Sequence, residues 1–204
     1  MKPSILDSEQ EGAYWSARYA EQQTGWDIGY PSDPIKNYID QLTSKTLKIL
    51  IPGAGNAHEA AYLWQNGFTQ VYILDIAIAP LDNFAARFPE FPREQLLHAN
   101  FFEHDGAYDL ILEQTFFCSF VPNPENRQSY AAKMAELLVP AGKLVGLWFD
   151  FPLSQDYEKR PFGGSRAEYL SYFGPYFEIK TFEKCINSIA PRAGNELFGI
   201  LVKK

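Results

Sequence analysis

The 204 residues contain only two cysteines, Cys118 and Cys185, far apart and outside any C-x-x-C pattern. That scarcity excludes a disulfide framework and a thiolate metal knuckle, and it fits a cytoplasmic chain. No run of about 18 uncharged apolar residues occurs, so no membrane-spanning helix is expected. The opening MKPSILDSEQEG lacks the apolar core of a signal peptide. Basic runs are missing too, and the formal net charge is −7. Because nucleic-acid affinity comes mainly from Lys and Arg displacing counterions, that partner is excluded. Histidine is scarce as well: His58 and Glu59 are followed by Tyr62 where H-E-x-x-H needs its second ligand, and His98 and His104 fall on different elements. No metal site is expected.

What the chain does have is apolar and aromatic residues. A hydrophobic fraction of 46% with 21% charged suits a single globular domain over residues 1–204, large enough to bury a continuous core. Sixteen Phe and twelve Tyr exceed ordinary core needs and suggest a pocket lined by rings.

The central stretch is LKILIPGAGNAHE, residues 47–59. Leu47, Ile49, Leu50 and Ile51 form a short apolar run ended by Pro52 and Gly53, and an Ala-rich helical pattern starts near Ala57. Gly53 and Gly55 lack a Cβ, so the turn between strand and helix can bring bare backbone to a ligand. Asp75, twenty positions after Gly55, ends a second apolar strand, Val71 to Leu74, where its carboxylate can accept from ribose hydroxyls. These two elements read as a nucleoside site. The dinucleotide fingerprint G-x-G-x-x-G is not met, since His58 stands where the third glycine belongs.

Along the chain, Ala13 to Gln23 shows helical spacing with Tyr14, Trp15, Arg18 and Tyr19, and the turn-rich GWDIGYPSDP follows with Trp26 and Tyr30. The spacing allows either a core-packing helix or a flap closing over a ligand, with residues 1–12 frayed and 1–42 forming the cover. Ser32 or Asp33 can cap a helix to about Leu42. Further helices are expected at Ala79 to Phe88, Arg127 to Leu138 and Ser165 to Tyr172. Strands are expected at Gln95 to His98, Tyr108 to Leu112 and Lys143 to Phe149, with a turn at Pro140 to Gly142. Strands alternating with helices imply a parallel sheet. The last two strands, Tyr176 to Glu183 and Leu197 to Val202, have no helix between them and must pair antiparallel. Seven strands, mostly parallel, with a C-terminal hairpin make a Rossmann-like α/β sheet of the class I methyltransferase layout.

Taken together, WSARYAEQQTGWDIGYPS, LIPGAGNAHE, the strand ending LDI, NFF at 100–102, YDLILEQTFFCSF, the proline-bearing turn before Arg127, ELLVPAGKLVGLWF and PFGG at 161–164 resemble the thiopurine S-methyltransferase family, with its thiopurine, thiol and halide methyltransferases. The likeness runs from about Trp15 to the C-terminus. It implies S-adenosylmethionine as cofactor and S-adenosylhomocysteine as product. On that resemblance Gly53 and Gly55 approach the methionine part, Asp75 holds the ribose, and Asn100 with Phe101 borders the adenine. Trp15 and Trp26 cover the cofactor, and Thr115 lies beside its reactive end. Asn100 departs from the family's usual Asp, and Ala57 and Glu59 depart from its Gly and Asp.

The implied reaction is methyl transfer to a small soft nucleophile such as a thiol, thiopurine, thiocyanate or halide. The protein's task is then alignment and exclusion of water. A fixed cation beside the acceptor raises its thiolate fraction, and Arg127 matches the family's arginine there. Tyr14, Tyr19 and Tyr30 are the candidate lining of the acceptor pocket, and Cys118 reads as a small buried apolar residue. The expected partner is a small molecule, in a monomer. Competing readings are a cofactor-binding protein without transfer activity and a nicotinamide-dependent oxidoreductase.

Overall fold

The structure, a computed structural model, describes residues 8–153 and 160–204. Most of the stretch expected to fray, residues 1–7, lies outside those described. Two helices open the chain, α1 (Ser8–Ala20) and α2 (Asp33–Ile39). There follow β1 (Ile49–Pro52), α3 (His58–Gln65), β2 (Val71–Asp75), α4 (Ile78–Arg87), β3 (Leu96–His98) and β4 (Tyr108–Gln114). The C-terminal half supplies α5 (Pro124–Leu137), β5 (Leu138–Phe149), α6 (Arg166–Phe173), β6 (Phe177–Lys184) and β7 (Glu196–Lys203).

One seven-stranded sheet runs in the order β3-β2-β1-β4-β5-β7-β6. The strands β3, β2, β1, β4 and β5 pair in parallel, while β7 lies antiparallel between β5 and β6. The chain winds outward from β1 to β3 and then returns to place β4 on the other side of β1. That reversal opens a crevice at the carboxyl ends of the central strands, the place where open parallel sheets bind ligands.

Side chains alternate between the two faces with the strand period of two, and because both faces are covered, β1 is buried at every position. Ile49, Ile51, Ile73 and Leu112 pack with Ile35, Leu63, Leu81 and Phe84 from α2, α3 and α4. Leu50, Leu74, Ile111 and Leu144 face the other way, onto Tyr130, Met134, Tyr169 and Phe173 of α5 and α6. Local signals set the helix starts. The side chain of Asn123 accepts from the Asn126 N–H at 2.7 Å with Pro124 in the first turn, and Ser165 caps α6. Among the described residues, no helix is long and apolar enough to cross a membrane.

The expected turn at Pro140 to Gly142 is absorbed into β5. Partner register jumps there, from Tyr108 opposite Leu138 to Leu110 opposite Lys143, and Ala141 takes φ +61°. This is a bulge: the strand continues through it instead of ending.

Trp148 shows how closely the sheet is packed. Gly146 and Gly199 sit opposite each other on β5 and β7, and a Cβ on Gly199 would stand 2.7 Å from both the Trp148 and Phe182 rings. We expect Gly199→Ala to lower the unfolding free energy by about 1–3 kcal/mol through overpacking, read as a lower urea midpoint. An unchanged midpoint would mean the indole can shift freely.

Candidate functional site

The turn after β1 takes an unusual path because its residues alternate through the left-handed region. Gly53, Gly55 and Ala57 have φ of +57°, +54° and +54°. A Cβ on Gly53 would lie 2.0 Å from the Phe116 ring, and one on Gly55 would lie 2.8 Å from the Tyr19 hydroxyl. Both glycines are therefore required by close neighbours as well as by the turn. Asp75 fastens it: Oδ2 accepts from the Gly55 N–H and Oδ1 from the Ala77 N–H, each at 2.9 Å. Burial pushes the Asp75 carboxyl above the ordinary range, against the pull of those backbone donors. A carboxylate offers about four acceptor positions, so capacity remains beyond the backbone donors of Gly55, Ala77 and Ile76.

His58, in the place of the missing third glycine, has a function of its own. Its Nε2 lies 2.8 Å from Asp27 Oδ1, which also accepts from the Gly29 N–H at 2.7 Å. The Asn56 amide donates to the other Asp27 oxygen. These donors, His58 foremost, hold the Asp27 carboxyl well below its usual range. The loop carrying Trp26 is thus buckled to the glycine turn, and Arg192 Nη2 donates to the Trp26 carbonyl at 2.8 Å from the other side. Glu59 does similar work. It is buried and accepts from the Ser32 N–H at 3.0 Å, away from the main cavity.

Above the carboxyl edge lies a cavity of about 700 Å³, the size of a small-molecule site. Trp15, Tyr19 and Trp26 form one wall, with Trp26 edge-on to Trp15 at 5.2 Å and to Tyr19 at 5.9 Å. Gly53, Asp75, Asn100, Phe101 and Thr115 form another, and Tyr14 also faces in. Of the residues expected to hold the cofactor or line the acceptor pocket, two lie elsewhere. Gly55 borders a small adjoining recess, and so does Tyr30, which is 48% exposed.

The Asn100 amide has its two ends in different situations. Its Oδ1 accepts from the Phe102 N–H at 3.0 Å, while the buried Nδ2 has no partner among the described residues. An unpaired buried donor costs about 1–3 kcal/mol, and a ring nitrogen of a nucleobase would satisfy it. The amide therefore offers this site a donor that an ionised carboxylate could not.

Thr115 holds φ +57°, a conformation that β-branched residues avoid. Glu113 enforces it. Its buried Oε1 accepts from the Phe116 and Phe117 N–H groups at 2.9 and 3.0 Å, closing the backbone around Thr115. Burial, with Glu196 nearby, pushes the Glu113 carboxyl up to about 8.

Arg127 does not reach the cavity, and its expected place beside the acceptor must be corrected. It is 3% exposed, with Nη1 on Glu168 Oε1 and Nη2 on the Gly163 carbonyl, both at 2.7 Å. Its guanidinium stands 5.0 Å from the Phe117 ring. Position 127 falls in the first turn of α5, where packing against α6 takes the side chain behind the ring wall. The arginines that do line the cavity are Arg18, Arg160 and Arg192. Motif reading missed the last two because they arrive from distant segments. Cys118 borders the cavity, yet burial raises its thiol and keeps it protonated.

A family model described as thiopurine S-methyltransferase matches residues 10–202. The chain is 28% identical to Probable thiol methyltransferase 2 of Arabidopsis thaliana, over 95% of this chain and 86% of that one. It is 26% identical to thiocyanate methyltransferase 1 of Brassica oleracea, over 96% and 86%. Among solved structures, 1,6-didemethyltoxoflavin-N1-methyltransferase of Burkholderia thailandensis, with S-adenosylhomocysteine bound, superposes with a TM-score of 0.76 at 16% identity, covering 100% of this chain and 93% of that one. Magnesium protoporphyrin IX methyltransferase of Synechocystis superposes at 0.73 and 15% identity, over the whole of both chains. At those identities the likeness concerns the fold.

The raised pKa of Glu113 carries a pH signature. An unfolded chain loses this proton near the ordinary value of 4.5, whereas the folded chain keeps it to about 8. The contribution is complete at low pH and declines as pH rises to about 8. Burial raises Glu59 and Asp75 in the same direction, so part of the slope is theirs. We expect Glu113→Gln to flatten the loss of stability between pH 5 and 8, by on the order of several kcal/mol relative to the parent. Parallel denaturation curves for the two proteins across that range would contradict the assignment.

Proposed function

The chain belongs to the thiopurine S-methyltransferase family, and from that premise we propose how its cavity works and what it modifies. It is an S-adenosylmethionine-dependent methyltransferase. The observation that carries the assignment of roles is the placement of a buried, backbone-anchored Asp75 and the unpartnered Asn100 amide on one wall, next to a glycine turn.

The residues present suit the cofactor. Asp75 has acceptor capacity left for the ribose, and Asn100 Nδ2 has a donor left for an adenine ring nitrogen, with Phe101 against the base. Gly53 and Gly55 leave the methionine portion close to backbone. Trp15 and Trp26 form the cover, and residues 1–42 act as its carrier. When bound, S-adenosylmethionine supplies an already activated methyl group, which an acceptor takes by in-line displacement.

What the chain contributes is alignment and dryness. Thr115, strained and braced by Glu113, presents its backbone at the reactive end. Phe116, Phe120 and Phe149 surround the acceptor and keep water out, and Tyr14 and Tyr19 complete that half. Arg127 serves by position: its bond to the Gly163 carbonyl holds the segment beside Arg160. The acceptor is a small soft nucleophile of the thiol, thiopurine, thiocyanate or halide class, whose thiols ionise near neutral pH without a dedicated base. Both cysteines are free and buried, which supports a cytoplasmic enzyme, and we propose that it acts as a monomer.

Calorimetric titration tests this reading. S-adenosylmethionine and S-adenosylhomocysteine should bind one per chain, and Asp75→Ala should weaken both by about tenfold or more, the cost of lost charge-assisted hydrogen bonds. A panel of thiols, thiocyanate and halides should show transfer to at least one. Binding without any transfer would favour a cofactor-binding protein, and binding of NADH in place of S-adenosylmethionine would favour an oxidoreductase.

A further inference from the structure

The alignment and shielding of the transferred methyl group leave one feature of the cavity without a role, the two arginines gathered around Tyr14. The Arg18 guanidinium donates to the Tyr14 hydroxyl from Nε and Nη2, at 3.2 and 3.1 Å, and from Nη1 to the Gln23 side-chain oxygen. None of these acceptors is a carboxylate. Arg160 comes from the far end of the chain and stands over the same ring. Its guanidinium carbon is 4.5 Å from the Tyr14 centroid, and that of Arg18 is 5.3 Å away. Arg160 Nε donates to the Ser119 carbonyl at 2.6 Å, and Nη2 pairs with Glu11 Oε1 at 2.9 Å. The other Glu11 oxygen accepts from Trp15 Nε1 at 3.1 Å.

Glu11, Tyr14, Arg18 and Arg160 all line the cavity. Among the described residues, Glu11 is the only carboxylate in an ion pair with either arginine, and it pairs with Arg160, so Arg18 is left with neutral partners. Arg192, the third arginine of the cavity, is already committed to Glu196 at 3.6 Å and to the Trp26 carbonyl. A partly desolvated cation without a counter-ion is costly. The side chains of Arg160 and Glu11 retain 16% and 25% exposure, so a ligand entering the cavity can reach them.

We propose that Arg18 and Arg160, ordered on opposite contacts of Tyr14, form an anion-recognising subsite for the methyl acceptor. The acceptor carries a negatively charged group such as a carboxylate, apart from the atom that is methylated. Glu11 competes for Arg160 and tempers that preference. The inference rests on the methyltransferase reading given above. Carboxylate chemistry could also come from the methionine end of the cofactor, and the test separates the two sources.

The experiment uses the full-length protein and calorimetry. S-adenosylhomocysteine is titrated first. Two aromatic thiols of the same shape, one bearing a carboxylate and one a carboxamide, are then titrated into the saturated protein. The carboxylate thiol should bind about tenfold more tightly, as a charge-assisted, partly desolvated pair allows. Arg18→Gln and Arg160→Gln should each cut that ratio about fivefold while leaving S-adenosylhomocysteine affinity within about twofold, and Glu11→Gln should raise it. Arg160→Lys should restore part of the preference. Raising salt should weaken only the carboxylate thiol, a reading that needs no variant.

A wild-type ratio near one overturns the proposal, and so does a ratio unchanged by both arginine substitutions. If those substitutions weaken S-adenosylhomocysteine instead, the anion belongs to the cofactor and the acceptor assignment is wrong. Absence of S-adenosylhomocysteine binding by the parent protein would remove the underlying reading. Intact binding with an unaltered ratio removes only this inference.

Discussion

The Asp75 carboxylate accepts one backbone N–H from each of two turns, Gly55 after β1 and Ala77 after β2, and the shape of the cavity depends on that bridge. It joins neighbouring parallel strands beyond the point where their ladder ends. The Ala54 N–H, donating to the Leu74 carbonyl at 3.2 Å, continues the same tie. The tie helps to hold the left-handed path of residues 53–57 against the Phe116 ring. A carboxylate kept in a buried place by backbone donors is poised to accept further donors from a ligand, at no cost in reorganisation.

Around that bridge the chain uses polar pairs where many nucleotide folds use glycine. His58 occupies the position of a third glycine and spends its side chain on Asp27, so the loop bearing Trp26 is anchored by the same turn that approaches the ligand. The cover and the floor are therefore mechanically one unit. Glu113 extends the pattern on the other side, closing the backbone around Thr115 with a buried carboxyl group. Strain at Thr115 persists because several hydrogen bonds over-determine it.

Arginine placement separates structural from ligand-facing charge. Arg127 is consumed by Glu168, the Gly163 carbonyl and two aromatic faces, which leaves it no part in contacting a ligand. Arg160, three residues before the Gly163 carbonyl that Arg127 binds, lines the cavity together with Arg18 and Arg192. The arginine singled out by its motif is thus a packed residue behind the ring wall and not part of the cavity lining.

Much of this was legible in the chain itself. Apolar runs with β-branched residues marked the strands, Pro52-Gly53 marked the turn, and Asp75 twenty positions beyond Gly55 marked a carboxylate at a strand end, because strand pairing and turn chemistry are local consequences of residue type. Tertiary structure alone decided which side chains meet. Register put Gly146 opposite Gly199 under Trp148, helix packing turned Arg127 away from the cavity, and chain folding brought Arg160 to a tyrosine on α1. It also gave the Asn100 oxygen to Phe102 and left its nitrogen without a partner among the described residues. Such contacts join residues up to about 150 positions apart, and no periodicity or spacing encodes them, since they depend on distances set only when the sheet and its helices have packed.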